Sequence, residues 1–337
     1  MASYININGN NIPIRASDPT NPILGEIWYN TTTNSLKGQG YQTAAWATGG
    51  NMSGASGDGG MATAGSQTAF LAAMGSPGAR SDTETYDGTS WSDGPSTPYS
   101  ASGVISFGAP TAVVHAGGQP GAGGVSTTIE WNGSSWAGQG STPYPILYQF
   151  GGAGPGADGI SIGGWNQSHP TGGAKTDVKV YNGSTWSTDG ATCPFPAYTG
   201  AHYGAGSSDV NYFGGYNPGA PNSRNDTHVN YNGTTFTTLA VYPTPIANTG
   251  NSGTTSDAYI WGGNINPSPT PYTNVGNSWN GTSWATSTSY PQSAQTVFSG
   301  GSTVPVAISS GGYTGSYQTT TFEYQAAGPV TKTISSS

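Results

Sequence analysis

Trp165, Asn166, His169, Tyr216, Asn217, Arg224, Asp226, Tyr272 and Asn274 are the residues of this chain best suited to contact a ligand. They fall in three unlike segments, WNQSHPT at 165–171, YNPGAPNSRND at 216–226 and NINPSPTPYTN at 264–274. The aromatic rings can stack on the apolar faces of sugars, while the amide, guanidinium and carboxylate groups can make directional hydrogen bonds to hydroxyls. Equally, such loops serve as Pro-stiffened packing pieces or as a docking surface for another subunit.

Catalytic chemistry is harder to assemble. His115, His169, His202 and His228 occupy four different contexts with no His-x-His or His-x-x-His spacing, so no metal site is laid out along the chain. A single cysteine, Cys193, excludes a multi-cysteine metal site and an intrachain disulfide framework, and is expected as a buried or half-buried small residue. A Ser-His-Asp triad needs only convergence in space and stays open, but no GxSxG elbow occurs in a strand-turn-helix setting. Asp and Glu stand mostly singly, whereas an enzyme degrading polysaccharide requires acidic pairs. No catalytic residue, metal or cofactor is assigned, and the chain is read as non-enzymatic.

Composition narrows the partners. The 337 residues are only 7% charged and carry a net charge of -8, with seven Lys and Arg spread singly, so no basic stripe exists to neutralise phosphates. Nucleic acid and anionic lipid are therefore not expected partners. Gly (55) and Pro (24) are abundant, but ten Trp, twenty Tyr and eight Phe supply the apolar area that a disordered chain lacks. No run approaches the roughly 18 apolar residues of a membrane span. The first twenty residues, MASYININGNNIPIRASDPT, have neither a cationic start nor an apolar core, so no signal peptide is expected and synthesis is assigned to a cytoplasm.

The elements that must position the loops are repeats. A hexapeptide recurs five times: YDGTSW at 86–91, WNGSSW at 131–136, YNGSTW at 181–186, YNGTTF at 231–236 and WNGTSW at 279–284. Six apolar runs, most closed by Gly-Gly, have their first glycines at Gly75, Gly117, Gly163, Gly214, Gly262 and Gly311, a period of about 42 to 51 that matches propeller blades. Each repeat offers four short strands, in the second 104–107, 112–115, 127–131 and 134–136, and no segment sustains a helical period. Asn-Gly and Asp-Gly predict two-residue type I′ hairpins. In that register Tyr181 faces Ser184 and Lys179 faces Trp186, which places the two aromatics diagonally on one buried face between blades.

The sixth Gly-Gly run is followed by one further strand, 319–324, and residues 41–46 (YQTAAW) are available to complete that blade as a latch. The expected organisation is an N-terminal hairpin or docking extension at 1–40, a six-bladed propeller at 41–325 and a tail at 326–337 that is either flexible or an added edge strand. Outward-running antiparallel strands put the three variable loops on one face, where a rigid scaffold commonly places binding. The same face carries the loops with Tyr99, Tyr144, Phe195, Tyr242 and Tyr290 beside prolines, expected as a collar around a central channel.

Apolar run, Gly-Gly and paired aromatics over residues 41–325 resemble a kelch-type β-propeller, although the aromatic spacing is shorter than usual and the first repeat has Gly75-Ser76. Residues 22–37, PILGEIWYNTTTNSLK, resemble a hairpin near the start of bacteriophage tail-fibre-like proteins. The resemblance implies an all-β, six-bladed kelch-like propeller closed by its N- and C-terminal strands. It also implies a virion structural protein, located in the particle; separately, the loops are expected to recognise a host-surface glycan or receptor, and residues 1–40 to dock to other virion subunits or to the propeller. The alternatives are a capsid- or tail-decorating protein and, third, a polysaccharide-degrading propeller enzyme. Sialidase-like propellers have related turns, but with Asp and Gly one residue apart rather than adjacent as in Asp87-Gly88, and they need an arginine cluster. Copper-oxidase kelch proteins need His and Tyr ligands converging on the axis.

Overall fold

A computed structural model describes residues 12–334 except 122, 150, 167–172, 218–223 and 266–270. It is all-β, and the chain divides into two units: residues 1–45 with 326–337, and residues 46–325. Among the described residues no helix is long and apolar enough to cross a membrane.

The first unit is one four-stranded sheet in the order Ile14–Arg15, Ile27–Asn30, Ser35–Gln42, Gly328–Thr333. The segment 22–37 forms the hairpin its sequence predicts, with Trp28 opposite Lys37 and Tyr29 opposite Leu36. Asn30 Oδ1 accepts the backbone N–H groups of Thr32 and Thr33, both at 3.0 Å, which folds the turn. Trp28 is fully buried and donates its indole N–H to Asp18 at 2.9 Å. The C-terminal segment takes the edge-strand alternative, pairing antiparallel from Lys37–Thr333 to Gln42–Gly328. Residues 1–11 of the N-terminal extension expected at 1–40 lie outside the described residues.

In the second unit each repeat becomes a small sheet. Sheet one is Gly60–Met61, Phe70–Ala73, Thr83–Tyr86 and Trp91–Gly94; sheet two is Ile105–Ala109, Ala112–Ala116, Thr128–Trp131 and Trp136–Gln139. Sheet three is Gly159–Ile162, Asp177–Tyr181 and Trp186–Thr192, extended by a bridge from Ala153 to Ile160. Sheet four is Ala201–Gly206, Asp209–Phe213, His228–Tyr231 and Phe236–Thr238; sheet five is Gly250–Thr254, Asp257–Trp261, Gly276–Trp279 and Trp284–Ser287. Sheet six is Phe298–Gly300, Ile308–Ser310, Thr321–Gln325 and, from the other end of the chain, Ala45–Thr48. The strand expected to complete the sixth repeat is thus paired there but starts later than expected, because Tyr41 and Gln42 are paired in the first unit. The first strands of the six sheets touch in succession, and Phe298–Gly300 of sheet six touches Gly60–Met61 of sheet one.

Apolar residues from facing sheets fill the space between them. Ile160, Ile162 and Val178 of sheet three meet Val210, Tyr212 and Val229 of sheet four, all fully buried. The Gly-Gly pairs turn the chain where there is no room for a side chain. At Gly163 the backbone is left-handed (φ 75°) and a Cβ would lie 2.5 Å from the Ala197 carbonyl.

The hexapeptide register differs from the two-residue turn. Tyr181 pairs directly with Trp186, Val180 with Ser187 and Lys179 with Thr188. The cause is the Asn side chain: Asn182 Oδ1 accepts the N–H groups of Ser184 (3.0 Å) and Thr185 (2.9 Å) without needing a positive φ of its own, so only Gly183 (φ 90°) is left-handed. The loop is four residues long, and its two aromatics stand side by side, ring centres 5.2 Å apart.

The aromatic-Pro loops do not form a channel collar. Their rings are wedged between sheets: Phe195 stacks on Tyr212 at 5.4 Å, Tyr242 on Phe213 at 4.8 Å, and Tyr290 lies 3.0 Å from the Ser309 hydroxyl. Burial of large rings there outweighs any benefit of lining a solvated channel.

Candidate functional site

Two residues before the first strand of five of the sheets, and five residues before the Ala153 bridge of sheet three, the backbone does something unusual. Asp58, Gly103, Tyr148, Thr199, Asn248 and Thr296, one per repeat, all have positive φ, at 59°, 66°, 49°, 60°, 59° and 54°. Five of the six are not glycine, and two are β-branched, for which this region is strained. Backbone hydrogen bonds tie these positions to one another. Gly103 N–H donates to Asp58 O (2.6 Å), Gln149 N–H to Gly103 O (3.1 Å), Asn248 N–H to Thr199 O (3.2 Å), Thr296 N–H to Asn248 O (3.0 Å) and Asp58 N–H to Thr296 O (3.2 Å).

The five of these residues that are not glycine line a cavity of 440 Å³, together with Ser76, Ser102, Gln119, Tyr198, Tyr216 and Gln295. That size lies within the roughly 300–1,000 Å³ of small-molecule sites. Beneath it the space narrows to 10 Å³ between Gly59, Met61, His202, Thr249 and Val297. A second hollow of 530 Å³, lined largely by glycines and small residues such as Gly154, Gly204, Gly253 and Gly301, lies beyond.

One wall is a run of aromatics. Tyr216 stacks on Tyr198 (5.3 Å, 19°), Trp165 meets Tyr198 edge-on (5.1 Å), and Tyr148 lies 6.4 Å from Tyr198. The Arg224 guanidinium sits over the Tyr216 ring at 4.5 Å, donates to its hydroxyl at 3.3 Å, and also donates to Asn264 Oδ1. On another side Tyr272 packs edge-on against Tyr313, and Tyr313 against Tyr317. Tyr317 donates its hydroxyl to Asp58 at 3.2 Å. Burial pushes the Asp58 carboxyl up to about 6 despite the hydroxyls of Tyr317, Thr296 and Ser76 beside it.

Of the residues chosen from sequence, Trp165, Tyr216, Arg224 and Tyr272 belong to this aromatic surround. Asn166 is buried and paired with Gly173 in a two-residue bridge, and Asn217 is half-buried next to Tyr216. Asp226 and Asn274 do not line the cavity; their backbone carbonyls accept the N–H groups of Tyr242 (2.9 Å) and Tyr290 (2.7 Å), which fixes the aromatic-Pro loops. His169 lies outside the described residues.

Sequence reasoning missed Asp58, Tyr148, Thr199, Asn248 and Thr296. A signal exists: Tyr148, Thr199, Asn248 and Thr296 are each the fifth residue after a loop proline, namely Pro143, Pro194, Pro243 and Pro291, as Gly103 is after Pro98.

Three histidines are structural in their surroundings. His115 is fully buried against Trp136 (4.9 Å), and burial pushes it down to about 3. His202, also pushed down to about 3 by burial, accepts the Ile162 N–H at 3.0 Å. His228, lowered by burial to about 4, shares a hydrogen bond with the Tyr203 hydroxyl at 2.9 Å. Among the described residues, no cluster of three or more His, Cys, Asp or Glu could hold a metal ion.

No protein-family model and no curated protein matches this sequence. Among solved structures the chain is similar in fold to that of YjhT, with a TM-score of 0.67 and 14% identity, over 83% of this chain and 99% of that one.

Proposed function

We propose that this chain is a non-enzymatic structural protein of a bacteriophage particle, a six-bladed kelch-like propeller whose loop face contacts a host-surface glycan or receptor. The observation that carries recognition is the cavity of 440 Å³ walled by Tyr148, Tyr198 and Tyr216, with Trp165 packed on Tyr198 and Arg224 on Tyr216. Exposed or half-buried rings next to directional polar groups suit sugars, whose faces are apolar and whose rims are hydroxylated. The described cavity lining holds a single carboxylate, Asp58, where glycoside hydrolysis needs a pair, which favours binding over cleavage.

Six successive sheets, the contact between the sixth and the first, and the pairing of Ala45–Thr48 with Thr321–Gln325 support six blades closed by terminal segments. The phage assignment rests on the tail-fibre-like hairpin at 22–37, and the unit containing it is the part proposed to bind other virion subunits.

Binding of fluorescently labelled protein to host cells tests recognition. Saturable binding that is lost in Trp165→Ala and Tyr216→Ala, with circular dichroism unchanged, is expected. Absence of cell binding together with co-purification in particles would instead identify a decorating protein.

A further inference from the structure

Five of the six ring positions carry side chains where glycine would be unstrained, as Gly103 demonstrates. A left-handed backbone disfavours L-residues, most of all Thr, and such local strain persists where the side chain itself is used. Two of these side chains end in unsatisfied atoms. Thr199 Oγ1 and Asn248 Oδ1 have no hydrogen-bond partner among the described residues, and both residues are more than nine-tenths buried at the cavity's lining. Buried polar atoms without partners are costly unless a ligand or water satisfies them.

We infer that this ring is the floor of a subsite for the terminal pyranose of an uncharged glycan, which enters end-on with its last ring held by Asp58, Thr199, Asn248 and Thr296. The inference rests on the glycan-recognition reading above and specifies its ligand. Entry is end-on because the neighbouring hollow lined by Met61 and Val297 measures only 10 Å³, too small for a further sugar ring. The floor offers acceptors in Asp58 and Asn248 and hydroxyls in Thr199 and Thr296, a set that complements neighbouring sugar hydroxyls, each both donor and acceptor. The Asp58 carboxylate faces Tyr317, Thr296 and Ser76, so it opposes a uronic or sialic acid at the same place. The nearby cation, Arg224, is engaged by Tyr216 and Asn264 at the wall.

Isothermal titration with the methyl glycosides of glucose, galactose, mannose and N-acetylglucosamine, and with glucuronate and galacturonate, tests this, run beside the host-cell assay. At least one neutral glycoside should bind and the uronates should not. Thr199→Gly and Asn248→Gly, which suit the left-handed backbone and should remain folded by circular dichroism, should each weaken that binding tenfold or more. Preferential binding of a uronate overturns the inference. So does cell binding by both Gly variants equal to that of the original protein with no glycoside bound, an outcome that leaves recognition by the loop face standing. If the original protein binds neither cells nor any saccharide, recognition itself fails and the inference fails with it.

Discussion

Trp186 of sheet three donates its indole N–H to the Thr128 hydroxyl of sheet two at 3.0 Å, fastening one sheet to the next. The same bond recurs from Trp136 to Thr83 (2.9 Å) and from Trp91 to Thr321 (2.8 Å). Where the position equivalent to Thr128 is Val178, the hexapeptide facing it ends in Phe236, and the two pack in one cluster with neither a donor nor an acceptor. In these four junctions donor and acceptor are kept or lost together, whereas Trp284, which faces His228, donates to the Ala240 carbonyl at 3.2 Å instead; the hexapeptide is a joining part between sheets.

Trp186→Phe or Thr128→Val alone should destabilise by about 1–3 kcal/mol, since each strands a buried polar partner. The double variant, which recreates the Phe236–Val178 arrangement, should recover part of that loss, with a coupling above about 0.5 kcal/mol in urea unfolding. Strict additivity would show that the bond contributes nothing. Tyr181→Ala, which empties a fully buried ring site, should cost about 3–5 kcal/mol and leave ligand affinity unchanged.

Thr199→Gly and Thr296→Gly should raise stability. A non-glycine residue in the left-handed region costs about 1–2 kcal/mol, against about 0.5–1 kcal/mol of extra chain entropy lost by glycine. A net gain of up to about 1.5 kcal/mol is expected from denaturant unfolding. A clear loss would mean these side chains serve stability and not a ligand.

Much of the scaffold was legible because repeats announce themselves: Gly-Gly and paired aromatics mark a succession of small antiparallel sheets. The turn register was not legible, since Asn-Gly reads as a two-residue turn until the Asn182 side chain is seen taking the Ser184 and Thr185 amides. The site was half legible. Trp165, Tyr216, Arg224 and Tyr272 stood out as aromatic or charged residues in irregular loops, whereas Thr199, Asn248 and Thr296 look ordinary until their φ angles are known. Asp226 and Asn274 share the loops but act through backbone carbonyls, which side-chain chemistry cannot foretell.

Asp58→Asn should stabilise the protein at pH 7. Burial raises the carboxyl from 3.8 to about 6 in the folded chain, so the folded state holds the proton more tightly than the unfolded one. Stability consequently falls as pH rises from below 4 to above 6, by up to about 3 kcal/mol. Unfolding midpoints of the variant and the original protein should therefore converge below pH 4 and separate above pH 6. A constant difference across that range would refute the assignment.

His115, His202 and His228 act in the opposite sense. Their folded values near 3, 3 and 4 lie below the ordinary 6.5, all through burial. The unfolded chain therefore takes up protons that the folded one refuses once pH drops below 6.5, and stability declines towards pH 4. Neither ring nitrogen of His115 has a partner among the described residues, so His115→Leu should make that acid decline shallower. An unchanged slope between pH 7 and 4.5 would contradict a buried neutral imidazole.

Trp46 joins the two ends of the propeller-like unit. Its strand, Ala45–Thr48, completes sheet six, and its ring lies among Tyr259, Trp261, Tyr290 and Tyr324 at centre distances of 5.9, 5.1, 5.1 and 5.3 Å. The indole N–H donates to the Tyr259 hydroxyl at 3.1 Å. Truncating an aromatic so surrounded costs about 3–5 kcal/mol in protein cores, so Trp46→Ala should lower stability on that scale, and Trp46→Phe by much less. If sheet six holds the ring shut, the loss should also appear as faster hydrogen exchange in two separate stretches, Phe298–Gly300 and Gly60–Met61, whose contact joins the last sheet to the first. Faster exchange confined to Ala45–Thr48 would mean that this strand only decorates an edge.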